Sequence, residues 1–167
     1  MTTLKSLFLK YGINSKTNFD IYDICEDLKL ECFICMRDEV PLTFGQMRNE
    51  IPTSLECNSY EHSSYEYNSY IFNYQTTNEY GSHWCCFSSG STEGGRTGWY
   101  FDSFGIKPIK ELESRTLKYN DIQIQPFETE ICGILSIYFL YLLKSNKFEC
   151  VIEKMKKEVC KCIFFKI

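Results

Sequence analysis

Gln125-Pro126-Phe127-Glu128-Thr129-Glu130-Ile131-Cys132-Gly133 runs directly into Ile134-Leu135-Ser136-Ile137-Tyr138-Phe139-Leu140-Tyr141-Leu142-Leu143. The second stretch is apolar on every side and stops at Lys144-Ser145-Asn146. A helix without a polar face belongs inside a domain, and this run is shorter than the roughly 18 residues needed to span a membrane. The pattern predicts a buried central helix with Cys132 in its first turn. Unpaired amides and the helix dipole concentrate positive potential at that point, which lowers a thiol's pKa and favours the thiolate. A buried cysteine can equally be a packed apolar side chain. The residues upstream decide between the two.

The 167 residues are 44% hydrophobic and 24% charged, which predicts one globular domain over residues 1–167 with a core of its own. Ten cysteines would suggest disulfides in a secreted chain. Met1 to Lys10, however, has too short an apolar region for a secretory signal and no small-residue cleavage site. Mostly free thiols in a reducing interior are expected, with no membrane span. The net charge of -4 argues against an obligatory grip on a nucleic-acid backbone.

Working outward toward the N-terminus, Ile21, Ile24, Cys25 and Leu28 fall at helical spacing, with Asn18 or Asp20 as the expected cap. Cys32-Phe33-Ile34-Cys35-Met36 reads as a short buried strand ended by Arg37-Asp38-Glu39-Val40-Pro41. Cys32 and Cys35 have CxxC spacing, but a structural zinc site needs about four ligands, and no second CxxC or HxxxH follows. They read as core cysteines, so no metal and no cofactor is expected. Thr43 to Tyr65 is polar and aperiodic, a long surface loop that holds His62. Tyr67 to Tyr74 is an aromatic-rich strand.

Ser82-His83-Trp84-Cys85-Cys86-Phe87-Ser88 and Gly98-Trp99-Tyr100-Phe101-Asp102-Ser103-Phe104-Gly105 read as strands flanking a glycine- and serine-rich loop. That loop lacks the GxxxxGK[ST] phosphate pattern. Two strands joined by one local loop pair as a hairpin. His83 and Asp102 lie nearly equidistant from its centre, so they can face each other at about 5 Å if both lie on one face, a register the sequence does not fix. A carboxylate there would fix the imidazole tautomer and favour its protonated form, as a thiol's base partner requires. Ile109 to Leu117 reads as a short surface helix, and Ile122-Gln123-Ile124-Gln125 as a strand entering the Cys132 helix. Val151, Ile152 and Met155 make a weak amphipathic pattern, and the basic and apolar tail from Lys156 stays unassigned.

Gly81-Ser82-His83-Trp84, Tyr100-Phe101-Asp102-Ser103-Phe104-Gly105, Gln125 and Cys132-Gly133 together resemble the adenovirus-type (adenain-like) cysteine protease family. The likeness is to the branch carried by polintons and large DNA viruses, and the ubiquitin-like (SUMO) proteases share the same site logic. It covers Gly81 to Leu143, and Phe33 to Pro41 more faintly. The resemblance implies an α+β fold, with a central mixed or antiparallel sheet packed on the buried helix in a circularly permuted papain-like arrangement. It implies Cys132 as nucleophile, His83 as base and then acid, Asp102 as the group orienting His83, and Gln125 as an oxyanion-hole donor beside the Cys132 N–H. Trp84 would shield the site, and Gly133 would keep the helix start uncluttered. Gln123 is a rival to Gln125 two positions earlier; the seven-residue gap to the cysteine favours Gln125. Adenovirus enzymes carry Glu where Asp102 stands, and the acidic balance does not support activation by DNA; a cofactor peptide cannot be read. The implied function is a cysteine endopeptidase processing viral or mobile-element structural precursors during particle maturation, inside a virion or host cell. Its partners would be protein substrates, with no membrane. A SUMO-type isopeptidase and an inactive interaction module are the alternatives.

Overall fold

The apolar run is the helix α4 (Cys132–Leu143), and all but two of its residues are buried. The computed structural model describes residues 2–40, 69–81, 83–92, 95–113 and 115–164, so the expected loop from Thr43 to Tyr65, with His62, lies outside the described residues. Among the described residues, five α-helices and five strands make an α+β fold. The helices are α1 (Leu4–Tyr11), α2 (Asn18–Asp27), α3 (Lys110–Glu113), α4 and α5 (Phe148–Phe164). The strands are β1 (Phe33–Met36), β2 (Ser69–Asn73), β3 (Trp84–Thr92), β4 (Gly95–Asp102) and β5 (Lys118–Tyr119). They lie side by side in sequence order, with β1–β2 and β4–β5 parallel and the two middle pairings antiparallel.

Side chains alternate between the faces of a sheet, and here the alternation separates two cores. Ile71, Trp84, Cys86 and Phe101 pack toward α4, α1, α2 and α5. Tyr70, Phe72, Cys85, Phe87 and Tyr100 pack with Leu112 of α3 on the other side. Phe101 stacks on Phe139 of α4 at 4.7 Å between ring centroids. The CxxC pair diverges between these cores. Cys35 is buried in the α3 core, whereas Cys32 packs on the helical one with its sulfur 3.6 Å from that of Cys25. The nine cysteines among the described residues are free thiols.

Several elements differ from their sequence reading. The α2 cap is Thr17, not Asn18 or Asp20; Asp20 closes the capping box from the third helical position. Ile122 to Gln125 is not a strand. Ile124 and Gln125 both donate their N–H groups to Ser103 O, so the alternation reflects a loop tucking its isoleucines inward rather than a ladder. The helix after Pro108 is only α3, because Leu117 turns back to donate to Gly98 O at the sheet edge. The tail is one continuous amphipathic helix, α5, with Phe148, Val151, Ile152, Met155, Val159 and Cys162 buried on one stripe. Glu158 on that helix accepts from the Leu4 N–H and the Tyr138 hydroxyl, both at 2.9 Å, joining α1, α4 and α5. No described helix is long and apolar enough to cross a membrane.

Gly105 ends the turn after β4 at φ +74, and an added Cβ would lie 2.6 Å from the Ile122 carbonyl carbon. Gly105→Ala is therefore expected to lose about 1–3 kcal/mol from backbone strain alone, and more from the overlap. Urea unfolding should show a lower midpoint with an unchanged slope.

Candidate active site

The β3–β4 hairpin delivers an imidazole and a carboxylate to one end of the sheet. Its register sets Cys85, not His83, directly opposite Asp102. His83 stands just before β3 and reaches Asp102 along the diagonal, a distance long side chains span. The His83 Nε2–Asp102 Oδ2 separation is 2.8 Å. The pairing that the sequence allows is present, in a register offset by two residues from direct opposition. The strands run through most of the glycine- and serine-rich segment, β3 ending only at Thr92 and β4 starting at Gly95.

Asp102 is fully buried, a costly place for a carboxylate unless its lone pairs are taken. Its Oδ1 accepts the Phe104 N–H at 2.7 Å. Oδ2 accepts from His83 and from the Cys85 thiol, the latter at 3.1 Å. Burial, and then the charge of Asp102, push the Cys85 thiol well up, so Cys85 keeps its proton and donates it. The buried Tyr100 hydroxyl lies against the same sulfur. The backbone of Asp102 is held as firmly. Asn120, beyond the end of β5, accepts the Asp102 N–H at 3.0 Å and donates Nδ2 to the Asp102 carbonyl at 2.5 Å. One side-chain amide thus continues the ladder where the strand has stopped. Sequence reasoning passed over Asn120, since Tyr119-Asn120-Asp121 reads only as a turn.

Cys132 opens α4 and is 5% exposed. Thr3 and Thr17 close α1 and α2 with capping boxes, but Ile131 offers α4 no capping side chain. The first-turn amides of α4 keep their capacity to bind a negative atom. Trp84 donates its indole N–H to Lys16 O at 2.8 Å and packs on the same turn. A Cβ on Gly133 would sit 3.2 Å from Lys16 Cβ and 3.4 Å from Trp84 Cδ1, closer than is comfortable on the Lys16 side. A side chain at residue 133 would press on Lys16 and on Ile21 Cδ1, at 3.3 Å, and would merely touch the tryptophan.

His83 joins the two halves. Its Nε2 is on Asp102, and the Cys132 thiol interacts with the same ring. Burial pulls the imidazole's pKa down, but the bonds to Asp102 and Cys132 outweigh it and bring the group up to about 9 from an ordinary 6.5. A raised folded-state pKa stabilises the fold fully below the unfolded value, and the contribution fades as pH rises through the folded one. Raising the pH from about 6 to about 10 should therefore lower the urea midpoint more in the wild type than in His83→Gln.

Gln125 is buried and Gln123 exposed. The Thr129 carbonyl can only accept, so it holds Gln125 Nε2, at 2.5 Å. Oε1 then faces Ser103, whose hydroxyl donates at 2.7 Å. That leaves one Nε2 hydrogen uncommitted among the described residues. Ser103, next to Asp102, thereby fixes which way the amide faces, a role the sequence reading did not assign. His83, Cys85 and Asp102 offer ligand atoms within 4.8 Å of one another, a donor set zinc accepts. Each of these atoms is already engaged in the hydrogen bonds above, and the thiol is held protonated.

No protein-family model matches the chain, and no curated protein matches it. Among solved structures, the chain is similar to the ASFV pS273R protease, crystallised in its selenomethionine form, with a TM-score of 0.49 and 16% sequence identity. The similarity covers 87% of this chain and 66% of that one, so the chain spans slightly less than two thirds of that protein's length.

Proposed function

We propose that the protein is a cysteine endopeptidase, with Cys132 as nucleophile, His83 as general base and acid, Asp102 as the orienting carboxylate and Gln125 as an oxyanion-hole donor. The observation that carries the reading is one imidazole bonded through Nε2 to a buried carboxylate and interacting with a helix-N-terminal thiol. His83 takes the Cys132 proton, and the thiolate attacks the scissile carbonyl carbon. Charge develops on the carbonyl oxygen between the Cys132 N–H and the Gln125 amide. Losing one such donor typically costs about 2.7–4 kcal/mol of barrier. His83 returns the proton to the leaving amine as the C–N bond breaks, leaving a thioester. Water, deprotonated by His83, attacks the thioester and releases the acid product and free thiol. Asp102 keeps the ring aimed at the sulfur throughout and stabilises the imidazolium.

The finer reading is a processing enzyme for viral or mobile-element structural precursors, acting in a virion or host cell. It rests on the resemblance around His83, Asp102, Gln125 and Cys132. The test is incubation with particle-forming proteins encoded beside it, mapping new termini by mass spectrometry. Stoichiometric labelling of Cys132 ahead of the other cysteines by an iodoacetamide probe should accompany cleavage. Absence of new termini together with an unreactive Cys132 would defeat the proposal.

A further inference from the structure

Between Gln125 and Cys132 the chain makes a tight turn. Thr129 donates its N–H to Pro126 O at 3.2 Å and its hydroxyl to the same oxygen at 2.8 Å, while its carbonyl holds Gln125. On this fastened turn Phe127 is 80% exposed. Its ring stacks on Phe104 at 5.8 Å and 14°, and Phe104 lies 5.0 Å from the His83 ring. Tyr74 adds a fourth ring beside the imidazole, at 6.2 Å. The aromatic run therefore starts at the catalytic base and ends in solvent. Among the described residues Phe127 belongs to neither core cluster. Glu128 and Glu130 follow it in the chain, both exposed and neither ion-paired with a described residue.

We infer that Phe127 is the shelf on which a peptide substrate rests a bulky apolar side chain, and that Glu128 and Glu130 select basic residues beside it. The occupant is an extended segment of the substrate, because the shelf is continuous with the imidazole that would protonate its leaving group. Two ring contacts separate Phe127 from His83. At about 3.5 Å per extended residue, the apolar side chain falls within about three residues of the scissile bond. This inference rests on the peptidase reading and names the class of substrate that the site would take.

Binding can be measured apart from cleavage. The probes are fluorescein-labelled peptides with Lys-Phe-Lys, Lys-Ala-Lys and Glu-Phe-Glu cores, read by anisotropy on full-length Cys132→Ala protein. The Lys-Phe-Lys peptide should bind about tenfold tighter than either of the others, as expected for an aromatic anchor. Adding Phe127→Ala should erase the preference for Phe over Ala and leave the charge preference. Adding Glu128→Lys with Glu130→Lys should reverse the charge order. Phe127 is exposed, so an unchanged thermal midpoint will show that the variant is folded. Equal affinities, no binding, or a Phe preference that survives Phe127→Ala would overturn the inference. Discrimination without any cleavage by the wild-type protein would sink the peptidase reading and leave the shelf standing. Cleavage indifferent to all three cores would do the opposite.

Discussion

Cys132→Ala will lose peptide cleavage by at least about 10⁴-fold while keeping the wild-type fold. Removing a nucleophile eliminates the covalent path altogether, and what remains is whatever binding and the oxyanion donors give to direct attack by water. The substitution deletes one sulfur at a 5% exposed position, so only a small loss of stability is expected. Cys160 lies exposed on α5. Cys160→Ser should leave activity unchanged, which separates loss of this thiol from a general effect of altering cysteines. Progress curves on a cleaved peptide, with circular dichroism of both variants, are sufficient. A Cys132→Ala protein retaining more than a trace of activity would assign the chemistry elsewhere.

Asp102→Asn should have the next largest effect, about 10³–10⁴-fold in kcat, by analogy with other triads. The side chain keeps its size, but only one of its two ends can still accept. Phe104 N–H and His83 Nε2 now compete for a single oxygen, and an amide NH2 turned toward either is a donor facing a donor. With the carboxylate charge gone, burial pulls the imidazole's pKa down from about 9. Activity in the wild type should hold into the alkaline range and fall near that value as His83 deprotonates; in the variant the fall should begin at lower pH. A merely structural role for Asp102 would lower stability without moving the pH profile, so the two readouts distinguish the cases.

How much of this was legible follows from what each signal depends on. The Cys132 helix was readable because a run apolar on all sides has one place to go, and the hairpin because two aromatic strands flank a small-residue segment. Its register was not, since glycine and serine do not state where a turn begins; the two-residue shift put Cys85 opposite Asp102. Asn120 and Ser103 stayed hidden because their work is long-range, bonding residues 18 and 22 positions away. The α5 stripe was interrupted by lysines and read as weak until Val159 and Cys162 were seen to extend it. At α1, Leu4, Leu7 and Phe8 carry helical spacing, but ten residues at a chain start were weighed only as a targeting signal.

Glu158 has a consequence for the timing of assembly. It reaches from α5 back to the Leu4 amide, 154 positions away in the chain, and to Tyr138 on α4. Contacts of such separation form late, after the entropy of closing a long loop has been met. On a growing polypeptide the apolar helix bearing Cys132 lacks this last support until α5 has been synthesised. Until then α1, α4 and α5 share no common anchor, and the helix start that carries Cys132 is left to the hairpin and α2.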